Sequence, residues 1–419
     1  MMHVVSQDVV TARTPDRDLR RCVVVPIDVG KRTALAGVQD FTGATLRRPI
    51  EFTLTRDGIA GLVAAVSAVL PEEVQLVRAG VEACGHYHRP VVAAGVLPAQ
   101  WEVVELNPAW VTAQRKVNGT ARRKTDAIDV EAIADLLRAG KGYPVPRLST
   151  PLVDLQGWVA HRRRRVLVRS GLKNQLTGQL DRAFPGLGSC LSSVSKTKVG
   201  RLVAAEFADP ARLAALGAAR FRRFAANRNV QVSGPMAERL VAAAKTAIPA
   251  ADAVVARQVL AEDLTLLADL DRQIDDATAH IAALIPATPY AVLRTGPGWG
   301  DARAGAYAAA VGDPARWPSH RQVYRAAGLN PSQYESAGSR RDGPISREGS
   351  VVLRQAILDL GIGLWHQDPA ARRYATTLRG RGKPGAIITC ALGRRATKIA
   401  HAMVRDQQPY DPTRWTAQT

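Results

Sequence analysis

The sequence predicts an α/β domain followed by a mainly α-helical region. In the first third of the chain, apolar β-rich stretches alternate with segments of helical apolar spacing, which is the pattern of a sheet covered by helices. From about Pro151 onward the segments become long, helical and rich in arginine. An apolar heptad repeat between Asp252 and Ile285 predicts a long helix that packs against another helix.

The α/β pattern follows a leader of residues 1–20 and predicts a domain over residues 21–150. The apolar run from Cys22 to Ile27 predicts a first strand that ends beside Asp28. The later elements alternate between strands and helices, as a layered α/β fold requires. They are a strand at 33–39, a helix at 57–70, strands at 74–81 and 103–106, and a helix at 125–137.

The helical region is predicted over residues 151–286. It opens with a basic helix from Leu152 to Phe184, and a less regular stretch from Pro185 to Pro235 follows. Its glycine and serine runs leave the fold of that second stretch undetermined.

The heptad repeat predicts a coiled coil, because one apolar position recurs every seven residues. That position is occupied by Leu260, Leu267, Ile274 and Ile281. Asp263 interrupts the next apolar position. The repeat therefore fits both an association between chains and a helical hairpin within one chain.

A third unit is predicted over residues 287–419, opening with the turn LRTGPGWG at Leu293–Gly300. The turn resembles a helix-hairpin-helix connection, whose backbone N–H groups can bind a phosphate. A plain connection between helices fits equally well. Trp299 would then pack in the core rather than stack on a base.

The formal net charge is +20, with a pI of about 10.5. Excess lysine and arginine release counterions when they neutralise phosphates, so this charge favours a nucleic-acid partner. The alternative is a basic protein from an arginine-rich genome without that function.

The four cysteines, Cys22, Cys84, Cys190 and Cys390, lie far apart with no CxxC pair. This spacing argues against a zinc ribbon and against a secreted disulfide framework, and favours a reducing compartment. The longest apolar stretch, Ile59–Leu70, is too short to span a bilayer. We expect a cytoplasmic, nucleoid-associated protein with no membrane contact.

Four carboxylates are predicted to converge in the α/β domain. Asp28 ends the first strand, Glu82 follows a later strand, and Asp126 and Asp129 share one face of a helix through their i, i+3 spacing. Such a cluster repels itself unless cations fill it. Hard oxygen ligands select Mg²⁺ or Mn²⁺, and two such ions activate the attacking oxygen and stabilise the leaving oxygen of a phosphodiester.

Basic residues flank the last two acids with no acidic residue between them, as expected of a phosphate track. They are Arg115, Lys116, Arg122, Arg123 and Lys124. His86 and His88 follow Glu82, but an isolated HxH beside a turn is interpreted as structural or phosphate-facing and is left outside the metal site.

The four acids lie in sequence segments that resemble the motifs of a known protein family. IDVGK around Asp28, GVEACGHY around Glu82 and KTDAIDVEAIADLL around Asp126 and Asp129 resemble the RuvC-like (RNase H-like) domain of the DEDD-type insertion-sequence transposases. These are the bridge-RNA-guided recombinases, insertion-sequence family one hundred and ten. The likeness continues in order through LKNQLTGQLDRAFPGL, the heptad region, LRTGPGWG and AAGLNPSQYESAG. Cys84 stands where small hydroxyl residues are common, and Ala337 replaces a frequent glycine.

The resemblance implies a C-terminal transposase domain whose serine attacks DNA, and that serine maps to Ser336. Ser332, Ser339 and Ser346 lie close by, so the serine is assigned less directly than the acids. A serine hydroxyl is a weak nucleophile at neutral pH and needs activation. We expect a composite site in which the four acids hold Mg²⁺ and Ser336 forms a phosphoserine link to DNA.

The resemblance also implies partners: donor DNA, target DNA, a noncoding bridge RNA, and a homodimer that assembles into a tetramer. Two further sets of basic residues are candidate nucleic-acid contacts, one on the long basic helix and one around the serine. They are Arg162, Arg163, Arg164, Arg165, Arg169 and Lys173, and Arg340, Arg341 and Arg347.

Three other functions fit parts of the pattern. A RuvC-like Holliday-junction resolvase or nuclease would use the same acids with water as the nucleophile. A DDE transposase would not require a close Asp-x-x-Asp pair together with a serine-bearing third unit. A non-catalytic nucleic-acid scaffold would use the basic residues and not the acids.

Overall fold

The computed structural model describes residues 21–120, 123, 125–145, 148–336 and 339–413. The predicted leader of residues 1–20 lies outside this range. The chain divides into two compact units, Met1–Arg147 and Leu148–Thr419, which we call unit one and unit two.

Unit one is built on a six-stranded sheet with the order β3-β2-β1-β4-β5-β6. The strands are β1 (Cys22–Val29), β2 (Thr33–Asp40), β3 (Thr45–Thr53), β4 (Leu76–Glu82), β5 (Glu102–Leu106) and β6 (Tyr143–Pro144). β4 runs parallel to both β1 and β5, whereas β2, β3 and β6 run antiparallel to their neighbours. The order 3-2-1-4-5 is that of RNase H-like domains, which confirms the predicted fold class.

The helices of unit one, within its described residues, are α1 (Arg56–Ser67), α2 (Arg89–Val92), α3 (Pro108–Val117) and α4 (Asp126–Arg138). β1 is almost wholly apolar because both of its faces are covered. Val23, Val25 and Ile27 pack with α1 on one face, and Val24 packs with α3 and α4 on the other. The side of the sheet that carries α4 is the side that positions the candidate acids.

Unit two is mainly helical, as the arginine-rich segments predict. Its helices are α5 (Thr150–Ala183), α6 (Leu187–Cys190), α7 (Lys198–Glu206), α8 (Pro210–Leu216), α9 (Ala218–Ala226), α10 (Gly234–Thr246), α11 (Ala253–Leu284), α12 (Gly300–Val311), α13 (His320–Ala326), α14 (Val351–Gln367), α15 (Pro369–Gly380) and α16 (Gly385–Asp406). A two-stranded antiparallel sheet, β7 (Pro331–Ser336) and β8 (Ser339–Ile345), lies between α13 and α14 in sequence. Among the residues just described, no helix is both long and apolar enough to cross a membrane.

The two longest helices, α5 and α11, pack against each other as an antiparallel pair. Trp158 stacks on His280 with ring centroids 3.9 Å apart, and Arg169 forms an ion pair of 2.8 Å with Asp271. The heptad positions from Leu260 to Ile281 are buried. Of the two arrangements that the heptad repeat allows, the structure shows the helical hairpin within one chain.

Unit two contains two hydrophobic cores. One joins the start of α5 and the end of α11 to α12–α16, and the other joins the far halves of α5 and α11 to α6–α10. The less regular stretch from Pro185 to Pro235 therefore folds as short helices around the second core. In the first core, Trp299 is 1% exposed and its indole Nε1 donates to the Leu360 carbonyl at 3.0 Å. Trp299 is thus a core residue.

Candidate active site

Asp28 and Glu82 lie at the ends of two neighbouring parallel strands. β1 and β4 pair with Ile27 opposite Val81, so the next residue of each strand is the acid. Side chains alternate along a strand, and Val24 of β1 and Gly80 of β4 both face α3 and α4. Asp28 and Glu82 therefore lie at the end of the sheet face that α4 covers.

Asp126 and Asp129 occupy the first turn of α4. Thr125 caps this helix by accepting from the Ile128 N–H at 3.3 Å. Asp126 is exposed and Asp129 is 3% exposed. The positive end of the helix dipole favours carboxylates at this position, so the local sequence stabilises both acids where they stand.

The direction of α4 brings its first turn toward the other two acids. The last turn lies near the start of β1, because Arg138 donates to Gln39 and Gln39 pairs with Val24. Since α4 crosses the sheet in the opposite direction to β1, its first turn lies toward the end of β1 that carries Asp28. All four acids belong to one end of one sheet face.

Asp129 is held by an ion pair. The Arg115 guanidinium of α3 lies 2.8 Å from its Oδ1, and both side chains are largely buried. Arg115 was predicted to contact nucleic acid, and in the structure it neutralises a candidate metal ligand. This contact is between two helices that are joined by residues 118–125, and no spacing rule within one helix reveals it.

A hard divalent cation fits the chemistry of these donors, since four carboxylates are the oxygen ligands that Mg²⁺ and Mn²⁺ prefer. Within the described residues, however, no three His, Cys, Asp or Glu side chains are gathered as a bound ion requires. Asp129 in particular is committed to Arg115. The backbone thus places the four acids at one end of the sheet without forming a closed cage.

Asp28 and Glu82 both lie near enough to Cys84 for their charges to act on its thiol. Burial raises the pKa of the Cys84 thiol, and the charges of Asp28 and Glu82 raise it further. The Sγ donates to the Val29 carbonyl at 3.4 Å. All four cysteines, Cys84 included, are free thiols.

His88 has a structural environment, as expected from its place outside the metal site. It is buried, and its Nε2 lies 3.3 Å from Glu105 Oε1 of β5. His86 is exposed beside Tyr87.

Ser336 is the last residue of β7 and is opposite Ser339 of β8. Two of the neighbouring serines use their hydroxyls within the fold. Ser332 Oγ donates to the Pro344 carbonyl at 3.1 Å, and Ser346 Oγ accepts from the Glu348 N–H at 3.3 Å.

The predicted basic contacts divide into internal and exposed groups. Arg162 donates to Thr278 Oγ1 at 2.7 Å and Arg169 pairs with Asp271, so both stabilise the α5–α11 hairpin. Burial, followed by the charge of Arg169, lowers the pKa of Lys173, and Arg165 is half-buried.

The exposed group comprises Lys116, Arg123, Arg163, Arg164, Arg341 and Arg347. Arg340 belongs to β8, opposite Glu335 of β7. Arg122 and Lys124 lie outside the described residues.

Two family models match the chain in the order of its two units. Residues 25–185 match the IS110-type DEDD family described as "Transposase", and residues 290–375 match "Transposase IS116/IS110/IS902 family". The first match contains all four acids and the second contains Ser336.

Two relatives from Streptomyces are similar to the chain. The "Insertion element IS110 uncharacterized 43.6 kDa protein" of Streptomyces coelicolor is 31% identical over 36% of this chain and 37% of its own length. The "Insertion element IS116 uncharacterized 44.8 kDa protein" of Streptomyces clavuligerus is 27% identical over 71% of this chain and 75% of its own length. With both domain models matched in order on an RNase H-like sheet and a helical unit, the chain belongs to the IS110 family of transposases.

Proposed function

We propose that this chain is the transposase of a bacterial insertion sequence and that it cuts and rejoins DNA through a serine–DNA intermediate. Asp28, Glu82, Asp126 and Asp129 are the metal ligands, and Ser336 is the nucleophile. The proposal is supported chiefly by the β1–β4 register, which sets Asp28 beside Glu82, and by the two acids in the first turn of α4, within a domain that matches the DEDD family.

The functional divisions of the chain follow from these roles. Residues 21–150 form the metal-binding domain, residues 151–286 the arginine-rich and heptad region, and residues 287–419 the serine-bearing domain. The exposed Arg163 and Arg164 of α5, and Arg341 and Arg347 near Ser336, support nucleic-acid contact beyond the metal-binding domain.

The chemistry is two consecutive phosphoryl transfers. Ser336 Oγ attacks the phosphorus of a phosphodiester; the Oγ–P bond forms, one P–O bond to sugar breaks, and the serine proton passes to solvent. The departing sugar oxygen takes up a proton. In the second transfer a sugar hydroxyl of another strand attacks the phosphorus of the phosphoserine. The new P–O bond to sugar forms, the Oγ–P bond breaks, the hydroxyl proton passes to solvent and Ser336 Oγ takes up a proton. One phosphodiester replaces another, so its energy is conserved.

A divalent metal, when bound by the four acids, would supply activation of the attacking oxygen and stabilisation of the leaving oxygen. The chain's own contribution is to hold the ligands in place. Thr125 fixes the start of α4, the β1–β4 register fixes Asp28 beside Glu82, and Arg115 balances the charge of Asp129.

The proposed partners are donor DNA, target DNA and a noncoding bridge RNA, with a homodimer that assembles into a tetramer on two duplexes. The formal net charge of +20 supports polyanionic partners. Strand exchange between two duplexes requires at least two active sites, which supports an assembly of several chains.

The proposal is tested by trapping the covalent intermediate. The full chain is incubated with Mg²⁺ and DNA that carries the ends of its element, and protein–DNA adducts are separated under denaturing conditions. We expect an adduct that peptide mapping locates to Ser336. Ser336→Ala should abolish it, whereas Ser332→Ala, the matched hydroxyl deletion on the same strand, should retain it.

The same assay distinguishes the proposed recombinase from the alternative, a nuclease. An enzyme that uses water as the nucleophile would still cut DNA after Ser336→Ala and would form no adduct. That result would replace the recombinase proposal with a RuvC-like resolvase or nuclease.

A further inference from the structure

The C-terminal helices carry an acid-free basic stretch. Between Pro369 and Arg405 the sequence contains nine arginine and lysine residues and no aspartate or glutamate. Eight of the nine side chains are exposed on α15, on α16 and in the connection between them. One of the eight, Arg405, pairs with Asp406, and we call the other seven the basic surface. They are Arg372, Arg373, Arg379, Arg381, Lys383, Arg394 and Lys398.

Each of the two acids that flank this stretch has a contact outside the basic surface. Asp368 is 2% exposed, and its carboxylate accepts from the Ala371 N–H at 2.7 Å and from the Tyr410 hydroxyl at 2.6 Å. Asp406 is bound by Arg405 at 2.7 and 2.9 Å. Both carboxylates are therefore committed to contacts within the fold.

Among the residues that the structure describes, most members of the basic surface form no ion pair. Within the described part of the chain, no ion pair involves Arg372, Arg373, Arg381 or Lys383. Exposed cations in such numbers repel one another, and a bound polyanion would remove the repulsion.

The helices hold the basic surface on a rigid base. α15 buries Ala371 and Ala375, and α16 packs its buried side chains into the first core of unit two. Arg394 and Lys398 are one turn apart on the outward side of α16. Five of the seven cations are thus presented on two packed helices, and Arg381 and Lys383 lie in the short connection between these helices.

The nearby aromatic rings are covered by guanidinium groups. Arg395 lies 4.0 Å from the Tyr374 ring centroid, and Arg379 lies 5.7 Å from that of Trp365. Recognition of single-stranded RNA relies on aromatic faces that are open to stack on bases. A surface of this kind instead suits the phosphates of a double helix.

The positive region continues onto α13. The His320 and His401 rings are 6.3 Å apart. Burial lowers the pKa of His320, and the charges of His401, Lys398, Arg321 and Arg394 lower it further. Cationic groups of two helices therefore converge on this place.

We propose that the basic surface binds the backbone phosphates of double-stranded DNA without reading its sequence. The inference rests on the proposed DNA substrate and assigns part of its binding to residues that the four acids and Ser336 do not include. Through this surface the transposase would bind duplex DNA without a divalent metal ion and without cutting or joining a strand.

The test is the salt dependence of DNA binding by the full chain, measured in EDTA with a 30-base-pair duplex (about three helical turns) of unrelated sequence. The variant Arg372→Gln/Arg373→Gln/Arg381→Gln/Lys383→Gln removes four cations. Each lost phosphate contact lowers the slope of log affinity against log salt by about 0.9, so we expect a decrease of about 3 to 4. Because no divalent ion is present, this result does not depend on cutting or joining.

Two control variants separate a specific surface from net charge. Lys198→Gln/Arg223→Gln/Arg239→Gln/Lys245→Gln removes the same charge from exposed residues of α7, α9 and α10 and should change the slope by less than about 1. Arg372→Lys/Arg373→Lys/Arg381→Lys keeps the charge and should keep the slope. Thermal unfolding confirms that each variant is folded.

Three results would overturn the inference: an unchanged slope in the first variant, an equal decrease in the distant control, or a decrease seen with duplex RNA and not with DNA. If the wild-type chain forms no Ser336–DNA adduct but shows the expected salt dependence of DNA binding, the proposed function is wrong and the inference about the basic surface stands.

Discussion

In unit one, Asp28 and Glu82 lie at the carboxyl ends of two central strands of a six-stranded sheet, whereas in unit two Ser336 is the last residue of one strand of a two-stranded sheet. The first pair is fixed by apolar packing on both sheet faces. On β7 the side chains of Gln333, Tyr334 and Glu335 are exposed, and Tyr334 is 67% exposed. Two-stranded hairpins contribute little stability alone, so mutations there should affect chemistry and leave folding intact.

Metal ligands and a nucleophile need different structural support. Metal ligands from distant parts of a chain keep their positions only where a packed core fixes them. A nucleophile that forms and then releases a bond to DNA needs no such core. Substitutions in the packed core and at the strand ends should therefore have different effects on stability and on chemistry.

The largest effect is expected from Glu82→Gln. Loss of one ligand charge should reduce DNA joining by about 10³-fold, since metal-based charge stabilisation supplies several kcal/mol. The melting temperature should change little, because Glu82 is at the end of its strand. Joining assays with Glu72→Gln, an exposed acid in the loop before β4, provide the control; equal activity of the two variants would remove Glu82 from the site.

In unit two, Leu267→Ala and Leu266→Ala form a matched pair on α11. Leu267 is 1% exposed and Leu266 is 46% exposed. Truncation of the buried leucine should lower the free energy of unfolding by about 2 to 4 kcal/mol, and truncation of the exposed one by less than about 0.5 kcal/mol. Urea titration measures both, and a reversed order would show that α11 packs through its other face.

Arg115→Ala tests the ion pair that links α3 to the acid end of the sheet. Removal of the guanidinium takes away the ion-pair partner of the buried Asp129, which should cost about 2 to 3 kcal/mol of unfolding free energy in EDTA. Mg²⁺ should restore part of this loss if Asp129 is a ligand. Lys116→Ala, the exposed neighbour, should show neither effect, and an Arg115→Ala loss that Mg²⁺ does not change would count against Asp129.

The smallest effect is expected from Asp263→Asn on α11. Burial, and then the charge of Glu262, raises the pKa of Asp263 above its ordinary value of 3.8. The ionised form is therefore disfavoured in the folded state, and its cost is present above the raised pKa. The variant should gain up to about 0.5 kcal/mol at pH 7. The gain should vanish as pH falls below 3.8, and a gain that persists there would exclude a charge effect.

Much of unit one follows from the sequence, because its central strands are buried on both faces and read as apolar runs. The strand predicted from Cys22 to Ile27 extends two residues further to Val29. β3 was not predicted, because it is an edge strand that contains Arg47, Arg48 and Pro49 and has no continuous apolar run. β6, with two residues, carries no periodicity at all.

The long helices of unit two also follow from their periodicity, but their partners do not. The heptad residues of α11 identify a buried seam, and only the structure shows that α5 of the same chain covers it. In the same way, the acid-free stretch from Pro369 to Arg405 is visible in the sequence. Which of its cations face outward depends on how α15 and α16 pack.

The positions of the acids were predictable to the level of the backbone. A strand end is recognisable from the apolar run before Asp28, and the i, i+3 spacing places Asp126 and Asp129 on one face of α4. The partner of Asp129 was not predictable, because it depends on the packing of α3 against α4. The roles of the acids and of Ser336 stay predictions that experiments must test.

If Asp28, Glu82, Asp126 and Asp129 bind divalent metal together, Mn²⁺ titration of the full chain, followed by electron paramagnetic resonance, should detect the bound ion. We predict that the wild-type chain removes Mn²⁺ from the free pool and that Asp28→Asn and Glu82→Gln each abolish this binding. Undiminished Mn²⁺ binding by both variants would contradict the account.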